Sequence, residues 1–269
     1  MNPLDHSRQT TLITGASSGI GAEFARQLTE LGSDVVLVAR RADRLEQLAA
    51  ALHTQHGVTA TPIPADLSTS APGAFLHEEV ERRGIAITSV INNAGFGTWG
   101  RFHDADPDRL RQMIAVDITA LTDISRTFLP ELRANGTGYL MNIASVGAYA
   151  PIPNQAAYSA AKAYVLSLTE ALWAESRDTG LRVMALSPGV TQTEYFDVVG
   201  STDATGGFSY QSPEQVVSNA LRALCRRNPP PSAVSGWKNQ VIASSGRLLS
   251  RRQMVSLAAR TTLRDSRNQ

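Results

Sequence analysis

The stretch Thr11 to Leu28, "TLITGASSGIGAEFARQL", limits the fold more than any other part of the sequence. A short β-branched and apolar run comes first, three glycines follow, and a pattern of apolar residues spaced three and four apart completes it. A strand that turns on glycines into a helix aims free N–H groups and the positive end of the helix dipole at an anion. This unit therefore predicts a pyrophosphate-binding turn of the dinucleotide type. Its predicted contact residues are Gly15, Ser17, Ser18, Gly19, Ile20 and Gly21.

Short apolar runs alternate with helical patterns that close on glycine along most of the chain. The six predicted strands are TTLIT, DVVLVA, TATPIPA, ITSVIN, GYLMNI and LRVMALS. Such alternation indicates a parallel sheet that is buried on both faces and built from right-handed crossovers. With 269 residues and 42% apolar content, we predict one α/β domain over residues 1–269. Its expected architecture is a Rossmann-type doubly wound parallel sheet with helices on both faces.

Three later segments complete the predicted organisation. Two long helices are expected at about 107–133 and 155–179, and "SPEQVVSNALRAL" has the pattern of a capped helix, with Ser212 as N-cap and Gln215 closing a capping box. The tail from about 237 to 269 is basic and weakly amphipathic. Its apolar positions are expected to pack on the sheet or subunit edge, with a partner or a membrane surface as alternatives.

The composition excludes several classes of function. The net charge is +1 and the basic residues are spread along the chain, so no nucleic-acid partner is expected. No intramolecular disulfide is expected, because Cys225 is the single cysteine, and no metal site is expected, because the sequence has no Cys/His cluster. No secretory signal or run of about 18 apolar residues is present. A soluble, cytoplasmic protein without integral membrane association is expected.

Two arginines follow the second predicted strand, where many dinucleotide-binding chains have an acidic residue that binds the ribose 2′-hydroxyl. Arg40 and Arg41 stand here instead, and a guanidinium binds the 2′-phosphate that distinguishes NADP from NAD. NADP(H) is therefore the favoured cofactor. The alternative is that both arginines merely solvate the start of the next helix.

The chain resembles the short-chain dehydrogenase/reductase family over about residues 8–225. The matching motifs are "TGASSGIG" at 14–21, "ADLS" at 65–68, "NNAG" at 92–95, "YSAAK" at 158–162 and "SPGVTQTEYF" at 187–196. The resemblance implies cofactor contacts from Asp66, Leu67, Asn93, Ala94, Gly95, Tyr158, Lys162, Pro188, Gly189, Val190, Thr191 and Thr193. It also implies a homodimer or homotetramer, formed in many members through the two long helices.

Ser145, Tyr158 and Lys162 match the family's catalytic serine, tyrosine and lysine in order and spacing. Chemically, a phenol protonates a carbonyl oxygen, an ammonium four residues along the helix stabilises the phenolate, and a serine at a strand end orients the substrate. One position departs from the family pattern, because Asp117 replaces an asparagine of the proton relay. We expect the Asp117 charge to raise the pKa of Lys162 and the relay to persist.

These features predict an NADP(H)-dependent oxidoreductase that interconverts a ketone or aldehyde and an alcohol, with Tyr158 as acid and base. A fairly apolar small-molecule substrate is expected, in a pocket that a variable loop at about 191–212 and the C-terminal tail shape. Two alternatives stay open: an NADP-binding sensor or scaffold with little turnover, and a reductase of C=N or C=C bonds. The candidate substrate contacts are Phe96, Tyr149, Ile152, Tyr195 and Phe196.

Overall fold

The computed structural model describes residues 4–194, 210–245 and 249–262. The strands within these ranges are β1 (Thr10–Thr14), β2 (Asp34–Ala39), β3 (Ala60–Pro64), β4 (Ser89–Asn92), β5 (Tyr139–Ile143), β6 (Arg182–Ser187) and β7 (Ser232–Val234). They form one sheet in the order β3-β2-β1-β4-β5-β6-β7, and every pair is parallel. The predicted doubly wound parallel sheet is therefore confirmed.

Helices cover both faces of the sheet. They are α1 (Gly19–Glu30), α2 (Ala42–His56), α3 (Pro72–Arg82), α4 (Pro107–Ile114), α5 (Leu121–Asn135), α6 (Ala156–Glu175), α7 (Pro213–Leu224), α8 (Trp237–Ser245) and α9 (Arg251–Thr262). Short 3₁₀ turns occupy His6–Arg8, Phe102–Asp104 and Val146–Tyr149. In the described ranges, no helix is both long enough and apolar enough to span a bilayer.

Alternating side chains of each strand supply two separate cores. Ile13 of β1 packs with Phe24 and Leu28 of α1 on one face, whereas its neighbour Leu12 packs with Phe128 of α5 on the other. A strand buried on both faces has to be apolar at consecutive positions, as the sequence pattern indicated. The two cores hold one layer of helices against each face of the sheet.

The six predicted strands appear where the sequence placed them, and two elements differ from expectation. β7 was not predicted, because three residues after three consecutive prolines carry no readable period. The predicted helix over 107–133 is helical throughout, but a π-helical segment, Ala115–Ala120, connects α4 to α5 within it. The second long helix and the Ser212–Gln215 capping box are confirmed.

The strand order reverses at β1, which lies between β2 and β4. Ligands of open α/β sheets bind beyond the carboxyl ends of the strands at such a reversal. The glycine turn leaves the end of β1, and the Asn93-Ala94-Gly95 segment leaves the end of β4. The topology therefore brings together two segments that are about 80 residues apart in the chain.

Candidate active site

The glycine turn has no room for side chains. Gly15 and Gly19 have φ angles of +67° and +55°, which favour glycine. A methyl group on Gly15 would lie 2.8 Å from the Asn93 amide nitrogen, and one on Gly21 would lie 2.4 Å from the Gly15 carbonyl oxygen. Gly21 therefore lets α1 pack against the turn, whereas Gly15 and Gly19 line the cleft above it. This bare cradle at a helix N-terminus fits the pyrophosphate of a nicotinamide dinucleotide.

The two predicted arginines lie in different surroundings. The Arg41 guanidinium donates to the hydroxyl oxygens of Ser17 (3.0 Å) and Ser18 (2.9 Å) and pairs with Glu194 at 2.9 Å. Arg40 is exposed and lines the cleft, and within the described part of the chain no hydrogen bond or ion pair engages it. Arg41 thus braces the turn, while Arg40 keeps its guanidinium available to an anion.

Glu194 balances the positive charge beside the turn. Arg44 contacts one carboxylate oxygen at 2.5 Å and Arg41 the other. The hydrogen bond from Arg44, followed by that from Arg41, lowers the pKa of Glu194 to about 2. The carboxylate is therefore ionised at neutral pH and fixes Arg41 against the two serines.

One cleft of about 630 Å³ runs from the glycine turn to the end of β5 and beyond. Most of the sequence-predicted cofactor residues line it: Gly15, Ser17, Ser18, Gly19, Ile20, Arg40, Arg41, Asp66, Leu67, Asn93, Ala94, Gly95, Pro188, Gly189, Val190, Thr191 and Thr193. Ser145, Tyr158 and Lys162 line the same cleft. The fold therefore joins the predicted nucleotide turn and the predicted chemical groups in one space.

Ser145 lies just after β5 and caps the short turn Val146–Tyr149. Its Oγ accepts a hydrogen bond from the Gly147 N–H at 3.1 Å, which leaves the hydroxyl proton free to be donated. A methyl group on Gly147 would lie 3.4 Å from this Oγ and 3.9 Å from Cε1 of Tyr158. Ser145 and Tyr158 therefore flank the same point of the cleft wall.

Lys162 lies one helical turn after Tyr158 on α6 and is buried. Its Nζ donates to the Ile143 carbonyl oxygen at 3.2 Å, pairs with Asp117 at 3.0 Å, and lies 5.7 Å from the centroid of the Tyr158 ring. Burial by itself lowers the pKa of Lys162, but the charge of Asp117, followed by Tyr158, raises it above the ordinary value. The side chain is thus held as an ammonium beside Tyr158.

Asp117 lies behind the cleft wall, in the π-helical segment between α4 and α5, and is 0% exposed. One carboxylate oxygen accepts the Phe96 N–H at 2.9 Å, and the other faces Lys162. Burial raises the pKa of Asp117, and the Lys162 charge opposes that shift. A methyl group on Gly95 would lie 3.0 Å from this carboxylate and 3.1 Å from the Lys162 ammonium, so the pair also requires a glycine at that position.

The predicted substrate contacts divide into three groups. Phe96 and Ile152 line the cleft, and the Arg109 guanidinium lies 4.0 Å above the Phe96 ring. Tyr149 does not line it. Tyr195 and Phe196 lie outside the described residues, as does most of the predicted loop over 191–212.

The tail contributes cleft residues that sequence reasoning did not name, although the tail was expected to help shape the pocket. Asn239 and Ile242 of α8 and Met254, Leu257, Ala258 and Thr262 of α9 all line the cleft. The favoured expectation for the tail was a helix on the sheet or subunit edge, and the structure places its described helices at the cleft. Met254, Leu257 and Ala258 share the spacing of one helix face, which is the signal that could have indicated a buried contact but not its location.

The family model for the short chain dehydrogenase matches residues 9–204. The chain belongs to the short-chain dehydrogenase family. The NADP-dependent 3-hydroxy acid dehydrogenase of Schizosaccharomyces pombe is 31% identical over 81% of this chain and 88% of its own. The 7beta-hydroxysteroid dehydrogenase of Clostridium sardiniense is 28% identical over 84% and 86%.

Among solved structures, a short-chain dehydrogenase from Sphingobium yanoikuyae in complex with NADPH has a TM-score of 0.77 and 34% identity to this chain. The similarity covers 89% of this chain and 95% of that one. The chain is thus an oxidoreductase of a nicotinamide-using family. In the described ranges, no group of three or more His, Cys, Asp or Glu side chains is placed to hold a metal ion.

Proposed function

We propose that this short-chain dehydrogenase is an NADP(H)-dependent enzyme that interconverts a ketone or aldehyde and the corresponding alcohol. The observation that carries the proposal is the single cleft that contains the bare glycine turn at one end and Ser145, Tyr158 and Lys162 at the other. Hydride transfer requires the donor and the proton source to meet at one carbonyl group, and this cleft provides both positions.

The residues of the chain have separate tasks in carbonyl reduction. A bound nicotinamide would supply the hydride that forms the new C–H bond. The Tyr158 hydroxyl transfers its proton to the carbonyl oxygen, and the Ser145 hydroxyl donates a hydrogen bond to the same oxygen. The Lys162 ammonium stabilises the phenolate that Tyr158 becomes, until a proton from solvent restores it. In alcohol oxidation the same groups act in reverse.

The preference for NADP(H) rests on Arg40. Its exposed guanidinium is at the cleft beside the turn, where a 2′-phosphate would extend from the adenosine ribose. The relative from Schizosaccharomyces pombe is named as NADP-dependent, and the Sphingobium structure contains NADPH. Both similarities agree with a charge-assisted contact to the 2′-phosphate.

We extend the proposal to assembly and location. The outer face of α4 and α6 exposes Ile114 and Tyr164, which suits the burial of these helices against a second copy of the chain. A homodimer or homotetramer formed there is proposed. The near-neutral net charge and single cysteine support a cytoplasmic location.

The Tyr158→Phe substitution tests whether the Tyr158 hydroxyl is the proton donor in carbonyl reduction. Tyr158→Phe removes the proton donor, so we expect kcat for ketone reduction to fall by about 10²–10⁴-fold while NADPH still binds. The measurement is NADPH absorbance with a panel of ketones and aldehydes, plus one cyclic imine and one enone. Tyr164→Phe is the matched control, because this tyrosine lies on the same helix and its hydroxyl contacts Thr122 rather than the cleft.

Each outcome of that experiment distinguishes the proposals. Carbonyl turnover that depends on Tyr158 and not on Tyr164 supports the proposed enzyme. Turnover only of the imine or enone indicates the C=N or C=C reductase. NADPH binding without turnover of any compound indicates a sensor or scaffold, and equal rates for wild type and Tyr158→Phe remove Tyr158 from the mechanism.

A further inference from the structure

The Arg109 side chain of α4 lies half-buried at the cleft, with its guanidinium stacked on an aromatic ring. The guanidinium carbon is 4.0 Å from the centroid of the Phe96 ring, and both residues line the cleft. Stacking uses the flat face of a guanidinium and leaves the N–H donors, which point outward in its plane, to other acceptors. In the part of the chain that the structure describes, no hydrogen bond or ion pair engages these donors. Arg109 is therefore oriented and still able to bind an anion.

The backbone of Phe96 connects this stack to the catalytic lysine. The Phe96 N–H donates to Asp117 Oδ1 at 2.9 Å, and the other Asp117 oxygen pairs with Lys162 at 3.0 Å. A methyl group on the preceding residue, Gly95, would lie 3.1 Å from the Lys162 Nζ atom. The stack of Arg109 on Phe96 thus borders the segment that encloses Lys162, where the reacting carbonyl group is proposed to bind.

The charges along the cleft leave Arg109 without a counter-ion. Glu194 and Asp66 are the acidic residues of the described cleft lining, and both lie beside the arginines that follow β2. Lys162 has its own partner, Asp117, which does not line the cleft. A negatively charged group on a substrate would therefore be attracted to Arg109 and would meet no described acidic side chain there.

A neutral hydrogen-bonding residue stands one helical turn beyond Arg109. Gln112 lines the cleft too, and side chains three residues apart are neighbours on a helix surface. Its carboxamide offers N–H donors beside the guanidinium. One planar cation with a neutral donor suits a singly charged carboxylate, which a guanidinium binds through two parallel hydrogen bonds. A doubly charged phosphate would be only half neutralised by this pair.

We propose that Arg109 binds a carboxylate of the substrate, so that the carbonyl compound is an oxo acid and the alcohol is a hydroxy acid. The inference rests on the proposed function, because it names the substrate class of the same cleft. It replaces the expectation of a fairly apolar substrate with that of a molecule that has one acidic end. Arg109 is thus a specificity-determining residue and has no part in the transfer of the hydride or the proton.

Kinetics on acids and their esters test this assignment. The substrates are methyl ketones that end in a carboxylate, from 4-oxopentanoate to 7-oxooctanoate, each compared with its methyl ester at saturating NADPH. Wild type should prefer the acid of the best length to its ester. Arg109→Gln should lower kcat/KM for that acid about 10–100-fold, mainly through KM, and change the value for the ester by about twofold or less. Arg109→Lys keeps the charge without the planar fork and should recover part of the loss.

Arg111→Gln is the matched control, because Arg111 is on the same helix, pairs with Asp108 at 3.2 Å and does not line the cleft. Calorimetry supplies two readouts that do not require turnover. NADPH should bind wild type and Arg109→Gln with the same Kd. The best acid should bind the complex of wild type with NADP more tightly than the same complex of Arg109→Gln.

The outcomes separate this inference from the proposed function. A preference for acids that Arg109→Gln abolishes, Arg109→Lys partly restores and Arg111→Gln preserves supports the carboxylate site. It is overturned if wild type prefers no acid to its ester, or if Arg109→Gln affects acid and ester equally. Weaker NADPH binding by Arg109→Gln would also overturn it, by placing Arg109 in the cofactor site. If wild type reduces no carbonyl compound of the wider panel, the proposed function fails, and calorimetry with the acids still decides whether Arg109 binds a carboxylate.

Discussion

At the scale of single residues, Asp117 distinguishes this site from the family pattern. Its carboxylate forms a fully buried pair with Lys162, so the charge that faces Tyr158 is partly neutralised from behind. A neutral residue at this position would leave the ammonium to act on the phenol alone. The substitution therefore bears on how readily Tyr158 takes the phenolate form that alcohol oxidation requires.

We expect Asp117→Asn to shift the pH profile of alcohol oxidation toward acid. The Lys162 ammonium keeps its bond to the Ile143 carbonyl but loses its anionic partner, so its attraction for the phenolate increases. The half-maximal pH for oxidation should fall by about one unit, since an opposite charge nearby has effects of that order. The measurement is kcat/KM against pH for wild type and variant.

Asp123→Asn serves as the control for that profile, because Asp123 on α5 accepts the Gly73 N–H and does not contact Lys162. Its profile should match that of wild type. An unchanged or alkaline-shifted profile for Asp117→Asn would show that Asp117 does not set the charge felt by Tyr158.

At the scale of elements, two helices begin with the same Ser-x-x-Gln capping motif but pack against different parts of the molecule. Ser212 and Gln215 cap α7, whose Val216, Val217 and Leu221 are in the core. Ser250 and Gln253 make the same reciprocal bonds at the start of α9, which borders the cleft. The first helix supports the sheet, and the second borders the cleft.

These two caps should therefore give different phenotypes when each serine becomes alanine. Ser212→Ala should lower the free energy of unfolding by about 1 kcal/mol, as loss of an N-cap does, and leave KM unchanged for a long apolar ketone such as 2-decanone. Ser250→Ala should loosen α9 and raise that KM several-fold with a smaller effect on global stability. Urea unfolding and steady-state kinetics on both variants provide the comparison, and identical phenotypes would contradict it.

At the scale of the whole molecule, cofactor binding joins segments from most of the chain. The cleft is lined from the glycine turn after β1 to α9, so a bound dinucleotide would stabilise the folded state as a unit. Each tenfold in affinity corresponds to about 1.4 kcal/mol of added stability at saturating cofactor. The thermal midpoint thus reports which cofactor the cleft prefers.

We expect NADPH to raise the thermal midpoint of wild type more than NADH does at equal concentration. Arg40→Ala should lose about tenfold in NADPH affinity and about 3–6 °C of the NADPH-induced shift, while the NADH shift persists. Arg82→Ala is the control, because this arginine pairs with Glu79 on α3 and does not line the cleft. A preference for NADPH that survives in Arg40→Ala would remove Arg40 from the 2′-phosphate site.

The sequence by itself determined the sheet and its six main strands, and it named most of the segments that line the cleft. Strand period, glycine position and helix capping are local properties, and each is set by residues that lie close together in the chain. The order Ser145, Tyr158, Lys162 is likewise readable without coordinates. The π-helical segment at Ala115–Ala120 was not readable, since its residues continue the helical pattern on both sides.

Tertiary structure alone decided which partners these residues meet. The division of labour between Arg40 and Arg41 depends on Glu194, which is about 150 residues away in the chain. The position of Met254 at the cleft depends on contacts between α9 and distant segments, such as the hydrogen bond from Asn154 to the Thr262 carbonyl oxygen. An amphipathic pattern predicts that one face of a helix is buried. It does not predict which segment covers that face, because the covering segment is set by contacts between residues that are distant in the chain.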